Sequence, residues 1–273
     1  RANKIMGVDI QDIIFSGPED TLKQTQYTQP AIYIVSVIIG ELLMENGIQP
    51  SCAAGHSLGE YSALALAKAF DFETGLRLVK IRAEGMQISG NQHPGTMAAV
   101  LGLDDDQIIN ICEDFSGGIV VAANFNAAGQ VVISGETDAV QNVMHILKEA
   151  GALKVVELNV SGAFHSPLMK PAKDSLTKAL ESTIINHSEI PVYANVSTAP
   201  VSSADEIRQA LIDQLENPVR WHESITRLIK DGVTSAVEVG PGKVLQGLSR
   251  RIDRSFNISG VESLEQILNF SHV

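Results

Sequence analysis

Ser57 lies at the centre of Gly55-His56-Ser57-Leu58-Gly59, which fits the pattern G-x-S-x-G. The small-residue run 51–54 before it is typical of a short strand, and the Ala- and Leu-rich run 60–69 after it is typical of a helix. In that context the pattern forms a sharp turn that exposes a nucleophilic serine. We expect the two glycines to permit the turn and the Leu58 amide to stabilise an oxyanion. The same string is also compatible with a glycine-rich turn whose serine takes no part in chemistry.

A serine nucleophile needs a base, and the chain contains seven histidines. His165 follows the small residues 161–163 and precedes a Ser-Pro helix start, so we expect it at the carboxyl end of a strand, where α/β proteins bind ligands. His56 is adjacent to Ser57, and neighbours at a sharp turn point apart, so we expect it to pack beside the site. Five others lie in helices, loops or near the C-terminus without a supporting motif: His93, His145, His187, His222 and His272. The residues alone leave the choice of base open.

The overall composition indicates a globular enzyme and excludes some partners. Hydrophobic residues make up 44% of the 273 residues and charged residues 19%, and the formal charge is −12. That charge argues against nucleic acid and anionic membranes as partners, and the apolar run 31–39 is too short to span a bilayer. The two cysteines, Cys52 and Cys112, lie in apolar surroundings and cannot form a metal cluster alone. A reducing compartment is the simplest interpretation of so few cysteines. We therefore expect a cytoplasmic protein, or an organellar one if a leader has been removed.

Helices and strands alternate along most of the chain. Periodicity and terminal residues predict helices at 29–47, 60–69, 71–86, 104–115, 136–150, 166–182, 204–215, 221–230 and 244–251. They predict strands at 51–54, 97–101, 119–123, 130–134, 153–157, 191–196 and 235–239. This alternation predicts a mostly parallel sheet covered on both faces.

One segment has an internal order of its own. From 97 to 157 the predicted order is strand-helix-strand-strand-helix-strand, the ferredoxin-like pattern, and the polar, Gly- and Pro-containing run 88–95 before it predicts a loop. We therefore predict an α/β-hydrolase-like catalytic core formed by residues 1–92 and 160–273. A ferredoxin-like small domain, residues 93–159, is inserted in it.

Seven long segments occur in a fixed order: Thr28-Gln29-Pro30-Ala31, Gly55-His56-Ser57-Leu58-Gly59-Glu60-Tyr61-Ser62, Met97-Ala98-Ala99, Gln130-Val131-Val132-Ile133-Ser134-Gly135, Gly162-Ala163-Phe164-His165-Ser166-Pro167-Leu168-Met169, Asn217-Pro218-Val219-Arg220-Trp221 and Val239-Gly240-Pro241-Gly242-Lys243-Val244-Leu245. Through them nearly the whole chain resembles the malonyl-CoA:acyl carrier protein transacylases of fatty acid synthesis. It resembles the acyltransferase domains of polyketide synthases more distantly.

The resemblance implies roles for individual residues. Ser57 matches the nucleophile of the family and His165 its general base, while Gln214 matches the position whose backbone carbonyl holds the other nitrogen of that histidine. A Ser-His dyad oriented by a carbonyl then replaces a Ser-His-Asp triad. Asn126 matches an active-site asparagine on the small domain, and we place it with His56 in the substrate-binding part of the site.

Arg82 matches the family's substrate arginine. Taken alone, an arginine on a helix beside Lys80 would be read as a solvated surface residue. In the family a planar guanidinium binds the free carboxylate of the malonyl group with two parallel hydrogen bonds. Selection of malonyl over acetyl would follow from the cost of leaving Arg82 buried and unpaired. Phe164-His165 also resembles the malonyl-type pattern of the polyketide enzymes.

The resemblance also implies the partners. These are malonyl-CoA as donor and an acyl carrier protein as acceptor, with no metal or organic cofactor, and we expect a monomer. Carrier proteins are usually acidic, so a local basic patch must offset the net negative charge of this chain. Candidates for that patch are Lys154, Lys243, Arg250 and Arg251, together with Arg254.

The family also has an N-terminal strand and a loop of the type Pro-Gly-Gln-Gly-Ser-Gln, whose first glutamine donates to the oxyanion. The present sequence begins downstream of that segment, and we expect the segment to precede Arg1 in the full-length protein. Three alternatives stay open: a serine esterase or thioesterase, a separate acyltransferase serving polyketide synthesis, and an inactive carrier-docking module.

Overall fold

The computed structural model describes residues 1–270 of the chain. Its helices are α1 (Ala2–Met6), α2 (Ile10–Ser16), α3 (Glu19–Leu22), α4 (Thr25–Glu45), α5 (Gly59–Leu66), α6 (Phe72–Gln92), α7 (Asp105–Asp114), α8 (Thr137–Glu149), α9 (Lys170–Ser182), α10 (Ala204–Asp213), α11 (Trp221–Lys230), α12 (Val244–Ile252) and α13 (Leu264–Leu268). Its strands are β1 (Ala53–Ala54), β2 (Gly95–Leu101), β3 (Val120–Ala127), β4 (Gln130–Glu136), β5 (Lys154–Glu157), β6 (Val192–Tyr193), β7 (Pro200–Val201), β8 (Ser235–Val239) and β9 (Asn257–Val261). The protein is a mixed α/β structure.

The largest hydrophobic core lies among α4, α5, α6 and α9. Tyr33, Leu64, Leu76 and Leu176 contribute fully buried side chains to it. By length and composition α4 is apolar enough to cross a membrane, but 56% of its most apolar window is buried inside the protein. We therefore interpret α4 as a core helix.

The predicted loop at 88–95 is wrong over most of its length, because α6 continues to Gln92. The small residues of this segment allow close packing of the helix and do not form a turn. Ser89 and Gly90 are buried, and a Cβ on Gly90 would lie 2.3 Å from the Ser161 carbonyl oxygen. The close approach of residue 161 to α6 brings the segment that contains His165 against this helix.

Strands β2 to β5 form one antiparallel sheet in the order β3-β4-β2-β5. The observed order of elements is β2-α7-β3-β4-α8-β5, as the sequence predicts. This part has its own hydrophobic core, in which Val100, Ile108, Ile133 and Leu147 are fully buried.

Parallel pairing occurs elsewhere, in two small sheets. β1 pairs with β6 in parallel and β7 adds to β6 antiparallel, while β8 and β9 form a separate parallel pair. Within residues 1–270 these strands do not form the single sheet that the sequence predicts. β1 and β6 are only two residues long, because the chain turns at Gly55 after β1 and because the Asn195 amide, after β6, donates to a side chain instead of a strand. Both turns occur at the carboxyl ends of two neighbouring parallel strands, which is where α/β proteins bind ligands.

Candidate active site

Ser57 occupies a strained turn between β1 and α5. Its φ of 50° is in the left-handed region, which a non-glycine residue adopts at a cost and which is typical of nucleophiles held at such turns. Only the first of the two glycines is sterically required: a Cβ on Gly55 would lie 2.0 Å from the backbone of Gly59, whereas a Cβ on Gly59 would meet nothing within 4 Å. The sequence-based expectation that both glycines permit the turn is therefore corrected to Gly55 alone.

Asn195 holds this turn from the neighbouring strand end. Its Oδ1 accepts a hydrogen bond from the Ser57 amide at 2.6 Å, and its Nδ2 donates to the Gly55 carbonyl at 2.7 Å. The Ser57 amide is thus already used. The next amide, that of Leu58, has no acceptor among the described residues and remains available at the start of α5.

His165 lies beside Ser57. Its Nε2 is 2.8 Å from Ser57 Oγ, and its Nδ1 is 2.9 Å from the Gln214 carbonyl oxygen. A carbonyl can only accept, so Nδ1 carries the proton of the neutral ring and Nε2 is free to accept the serine proton. Burial, reinforced by the positive charge of Arg82, lowers the pKa of His165 to about 3. The ring is therefore neutral near pH 7, as a base must be.

The position of His165 differs from the predicted one. β5 ends at Glu157 and residues 158–164 are irregular, so His165 does not directly follow a strand. The turn is held by one local and one long-range contact. The Ser166 hydroxyl donates to the Ala163 carbonyl at 2.6 Å, and the Ser161 hydroxyl is 2.9 Å from that of Thr25 in α4. His165 itself has a φ of 59°, a second strained residue at the same site.

Arg82 is 1% exposed and reaches the nucleophile from α6. One Nη donates to Ser57 Oγ at 2.8 Å and to Gln214 Oε1 at 3.0 Å, and the other donates to Gln29 Oε1. The guanidinium also lies 5.7 Å from the centre of the Tyr61 ring, a cation–π distance. Reading this residue as solvated on its sequence context alone is wrong, because α6 is buried on the side that carries it. A buried cation beside a serine hydroxyl is suited to an anionic acyl group.

Glu60 is the buried acid of the site, 1% exposed. Its Oε2 accepts from Gln214 Nε2 at 2.7 Å and from the Asn195 amide at 3.2 Å. Burial raises the pKa of Glu60 to about 7, although those two hydrogen bonds and the charge of Arg82 lower it.

His56 and Asn126 line the other side of the turn. His56 Nε2 is 2.8 Å from Asn126 Oδ1, and the His56 ring lies 5.5 Å from the ring of Trp221. Burial lowers the pKa of His56. Asn126 belongs to β3, so this contact joins the antiparallel sheet to the nucleophile turn.

The predicted docking cations are all exposed and do not touch the reactive residues. Lys154 is in β5, Lys243 precedes α12, and Arg250 and Arg251 are at the end of α12. Arg251 donates to Gln130 Oε1 at 3.0 Å.

Sequence reasoning did not single out three residues of this site: Gln29, Glu60 and Asn195. Glu60 had a signal, since it is an acid in the first helical turn after a candidate nucleophile. Gln29 lies in one of the segments that carry the family resemblance but had no assigned role, and Asn195 had no signal, because their partners become neighbours only in the folded chain. Of the other candidate bases, His93, His145, His187 and His222 have no described hydrogen bond to this site, and His272 lies outside the described residues.

The described residues contain no group of three or more His, Cys, Asp or Glu side chains suited to a metal ion. A cavity of ≈ 540 Å³ lies between α7, β3 and the start of α11, and its lining includes none of the predicted site residues. The Ser57 site is therefore identified by its reactive groups and not by the size of a cavity.

The family model described as an acyl transferase domain matches residues 2–265. The chain is 39% identical to the malonyl CoA-acyl carrier protein transacylase of Bacillus subtilis strain 168, over 97% of this chain and 84% of the relative. Solved structures of malonyl CoA-acyl carrier protein transacylases are also similar to this chain. The malonyl CoA-acyl carrier protein transacylase from Coxiella burnetii is 38% identical with a TM-score of 0.94, over 98% of this chain and 85% of that one.

A malonyl-transacylase solved in complex with a type II polyketide synthase acyl-carrier protein is also similar. It is 40% identical with a TM-score of 0.94, over 98% of this chain and 87% of that one.

Proposed function

The chain belongs to the malonyl-CoA:acyl carrier protein transacylase family, and from that premise we propose how its residues transfer a malonyl group from coenzyme A to the phosphopantetheine thiol of an acyl carrier protein. One observation carries the proposal: Ser57 Oγ lies 2.8 Å from His165 Nε2 and 2.8 Å from an Nη of Arg82. A base and a buried cation thus meet at one hydroxyl. The transfer serves fatty acid synthesis.

In the first half-reaction, His165 Nε2 removes the proton of Ser57 as Oγ attacks the thioester carbonyl. The negative charge that develops on the carbonyl oxygen is stabilised by the Leu58 amide. The carbon–sulfur bond then breaks, and coenzyme A leaves as a thiol with the proton returned by His165. Between these two proton transfers His165 is an imidazolium, and the Gln214 carbonyl stabilises it by accepting a hydrogen bond from Nδ1.

In the second half-reaction, the carrier thiol enters the same site. His165 removes the thiol proton, the sulfur attacks the malonyl ester, and the Ser57 oxygen leaves with the proton. Every step transfers only protons and an acyl group. No cofactor is therefore required by this chemistry, and coenzyme A takes part only as a substrate.

Arg82 selects the acyl group in this proposal. Its guanidinium is buried, and the three acceptors described for it are neutral oxygens of Gln29, Ser57 and Gln214. A malonyl carboxylate offers it a charged partner and two parallel hydrogen bonds, which a neutral acetyl group does not. His56 and Asn126, hydrogen-bonded to each other beside the turn, border the same acyl site.

The carrier docks on a basic surface at one end of the antiparallel sheet. Gln130 and Lys154 both pair with Leu101, from opposite sides. Their side chains therefore share one face of the sheet, about 10 Å apart, and Arg251 is bonded to Gln130. Lys154 and Arg251 thus form one patch that an acidic carrier can contact, with Arg250 and Lys243 on the adjoining helix. The double substitution Arg250→Glu and Arg251→Glu should slow transfer to the carrier and leave acylation of Ser57 by malonyl-CoA unchanged.

The finer architecture belongs to the same proposal. An α/β-hydrolase-like core formed by residues 1–92 and 160–273 carries the dyad, and a ferredoxin-like insert formed by residues 93–159 carries Asn126. The antiparallel strand order β3-β4-β2-β5 supports the insert. The free cysteines Cys52 and Cys112 support a reducing, cytoplasmic location.

A second acceptor is favoured by one comparison. The similar transacylase that was solved with a polyketide synthase carrier supports a carrier of polyketide synthesis as an alternative acceptor. Transfer rates to a fatty acid carrier and to a polyketide carrier, measured with the same malonyl-enzyme, distinguish the two.

Intact-mass analysis after mixing with malonyl-CoA tests the proposal. We expect one malonyl adduct, absent in Ser57→Ala, that is removed by a phosphopantetheine-loaded carrier and persists in buffer alone. Loss of the adduct to water at the same rate as to the carrier would instead indicate an esterase or thioesterase. No adduct at all would leave a docking module and refute the transferase.

A further inference from the structure

Glu60 is a buried acid that no step of the proposed reaction uses. It lies in the first turn of α5 and is 1% exposed, and no ion pair within 4.0 Å is described for it in residues 1–270. Burying a carboxyl group away from a direct cation is costly. Its presence beside the nucleophile therefore calls for a role that offsets the cost.

Both hydrogen bonds that Glu60 accepts come from residues that hold the reactive groups. Gln214 supplies the carbonyl that orients His165, and Asn195 holds the Ser57 amide. Gln214 Nε2 donates to Glu60 Oε2 at 2.7 Å, and the Asn195 amide donates to the same oxygen at 3.2 Å.

The Gln214 side-chain amide can take only one orientation in this network. Its Nε2 donates to two acceptors, Glu60 Oε2 and, at 3.0 Å, the Ser57 carbonyl oxygen, which leaves Oε1 to accept from Arg82 at 3.0 Å. Rotating the amide by 180° would set an NH₂ group against the guanidinium and an oxygen against two other oxygens. A side-chain amide has fixed donor and acceptor ends, so Glu60 Oε2, the nearer of the two acceptors, acts with the Ser57 carbonyl to select which end Arg82 meets.

We propose that Glu60 is a positioning residue for malonyl selection. Through Gln214 it keeps an oxygen directed at Arg82 and so holds the guanidinium where the malonyl carboxylate must meet it. The inference rests on the proposed function, since it deepens the account of how that site selects a diacid.

The role of Glu60 is that of a hydrogen-bond acceptor. Both donors end on Oε2, which leaves Oε1 for a proton, so the two hydrogen bonds persist whether the group is ionised or neutral. Burial raises the pKa of Glu60 to about 7, so both forms occur near neutral pH. A glutamine at position 60 can present its oxygen to the same two donors.

Removing the acceptor leaves Gln214 Nε2 with the Ser57 carbonyl alone, so the orientation of the amide is held less strongly. The oxygen that Gln214 presents to Arg82 is then less well fixed, while the contacts of Arg82 with Gln29 and Ser57 remain. The kcat/KM for a malonyl thioester, whose carboxylate binds the guanidinium, should fall more than the kcat/KM for an acetyl thioester. For Glu60→Ala we expect the ratio of malonyl to acetyl kcat/KM to fall about tenfold or more, mostly through the malonyl KM. A loss of folded protein would lower the apparent kcat/KM for both thioesters equally and leave their ratio unchanged.

The test compares three variants in acylation of Ser57 by malonyl-CoA and acetyl-CoA. Glu60→Ala removes the acceptor, Glu60→Gln keeps it, and Gln214→Met removes the side-chain amide while keeping the backbone carbonyl that orients His165. The matched control is Glu181→Ala, an exposed acid of α9 far from these contacts. Malonyl transfer by the unmodified protein is measured first, because its absence would refute the proposed function and not this inference.

We expect Glu60→Ala and Gln214→Met to lower the ratio about tenfold or more, and Glu60→Gln to keep it within about threefold of the unmodified protein. An unchanged ratio in Glu60→Ala or in Gln214→Met overturns the proposal. A fall in Glu60→Gln as large as that in Glu60→Ala also overturns it. If Glu60→Ala does not fold, the Glu60→Gln and Gln214→Met pair gives the same decision.

Discussion

Replacing Arg82 with alanine should abolish the preference for malonyl thioesters. The residue is 1% exposed and its Nη groups converge on the nucleophile. A malonyl carboxylate bound there gains two charge-assisted hydrogen bonds, each contributing about 1.5–3 kcal/mol. Their loss should lower kcat/KM for malonyl-CoA by about a hundredfold to about 10⁴-fold.

The acetyl reaction should change much less. Acetyl-CoA has no carboxylate, but the structure adds a cost that the sequence did not reveal, because Arg82 also donates to Ser57 Oγ at 2.8 Å. Losing that single charge-assisted bond lowers acetyl kcat/KM by about tenfold to a hundredfold. The malonyl reaction loses the same bond in addition to its two carboxylate contacts. The ratio of malonyl to acetyl acylation should therefore fall by at least about tenfold.

The assay is single-turnover acylation of Ser57, followed by intact mass with each thioester. Arg77→Ala is the matched control, because Arg77 lies on the same helix, is exposed, and within residues 1–270 pairs with the surface acid Glu73. Such surface pairs contribute little to stability. Equal losses for malonyl and acetyl in Arg82→Ala would refute the role of Arg82 in selection. A similar loss in Arg77→Ala would show that the effect is not specific to the site.

The remaining predictions concern protons, the turn and stability. Because burial and Arg82 lower the pKa of His165 to about 3, kcat/KM for acylation should stay level from pH 8 to about pH 5; an acidic limb near pH 6.5, the ordinary value for histidine, would contradict this. Asn195→Ala removes the bonds to the Ser57 amide and the Gly55 carbonyl, so it should destabilise the protein by about 1–3 kcal/mol in urea unfolding and slow malonyl and acetyl acylation alike; a change in their ratio would contradict it. The pKa of Glu60 is raised to about 7 in the folded protein from its ordinary value of 4.5, so its contribution to stability is fully present below pH 4.5 and is lost as the pH rises through 7. The free energy of unfolding of the unmodified protein relative to Glu60→Gln should therefore fall by about 1.4 kcal/mol per pH unit in that window, and parallel curves would refute the raised pKa.

Local sequence signals predicted most of the secondary structure. α11 and β8 have the predicted bounds, and α7 begins one residue after the predicted helix start at 104, because terminal residues and periodicity are local properties. The nucleophile turn was likewise visible as a string with a strand before it and a helix after it. Elements without a strong apolar pattern, such as α1 to α3 and β7, were missed.

Long-range contacts could not be predicted in the same way. Gly90 resembles a turn residue until it packs against residue 161, and Arg82 resembles a surface residue until α6 is buried. Asn195 lies 138 positions from Ser57 in the sequence, yet its side chain accepts a hydrogen bond from the Ser57 amide. The resemblance to a known family supplied His165 and Arg82, but the connection from Glu60 through Gln214 to Arg82 requires the folded chain.

A crystal structure of the malonyl-enzyme tests the central claim most directly. The account predicts an ester on Ser57, His165 Nε2 beside the ester oxygen, and both carboxylate oxygens of the malonyl group within about 3 Å of the Arg82 guanidinium. A malonyl group attached elsewhere, or one whose carboxylate points to solvent away from Arg82, would contradict it.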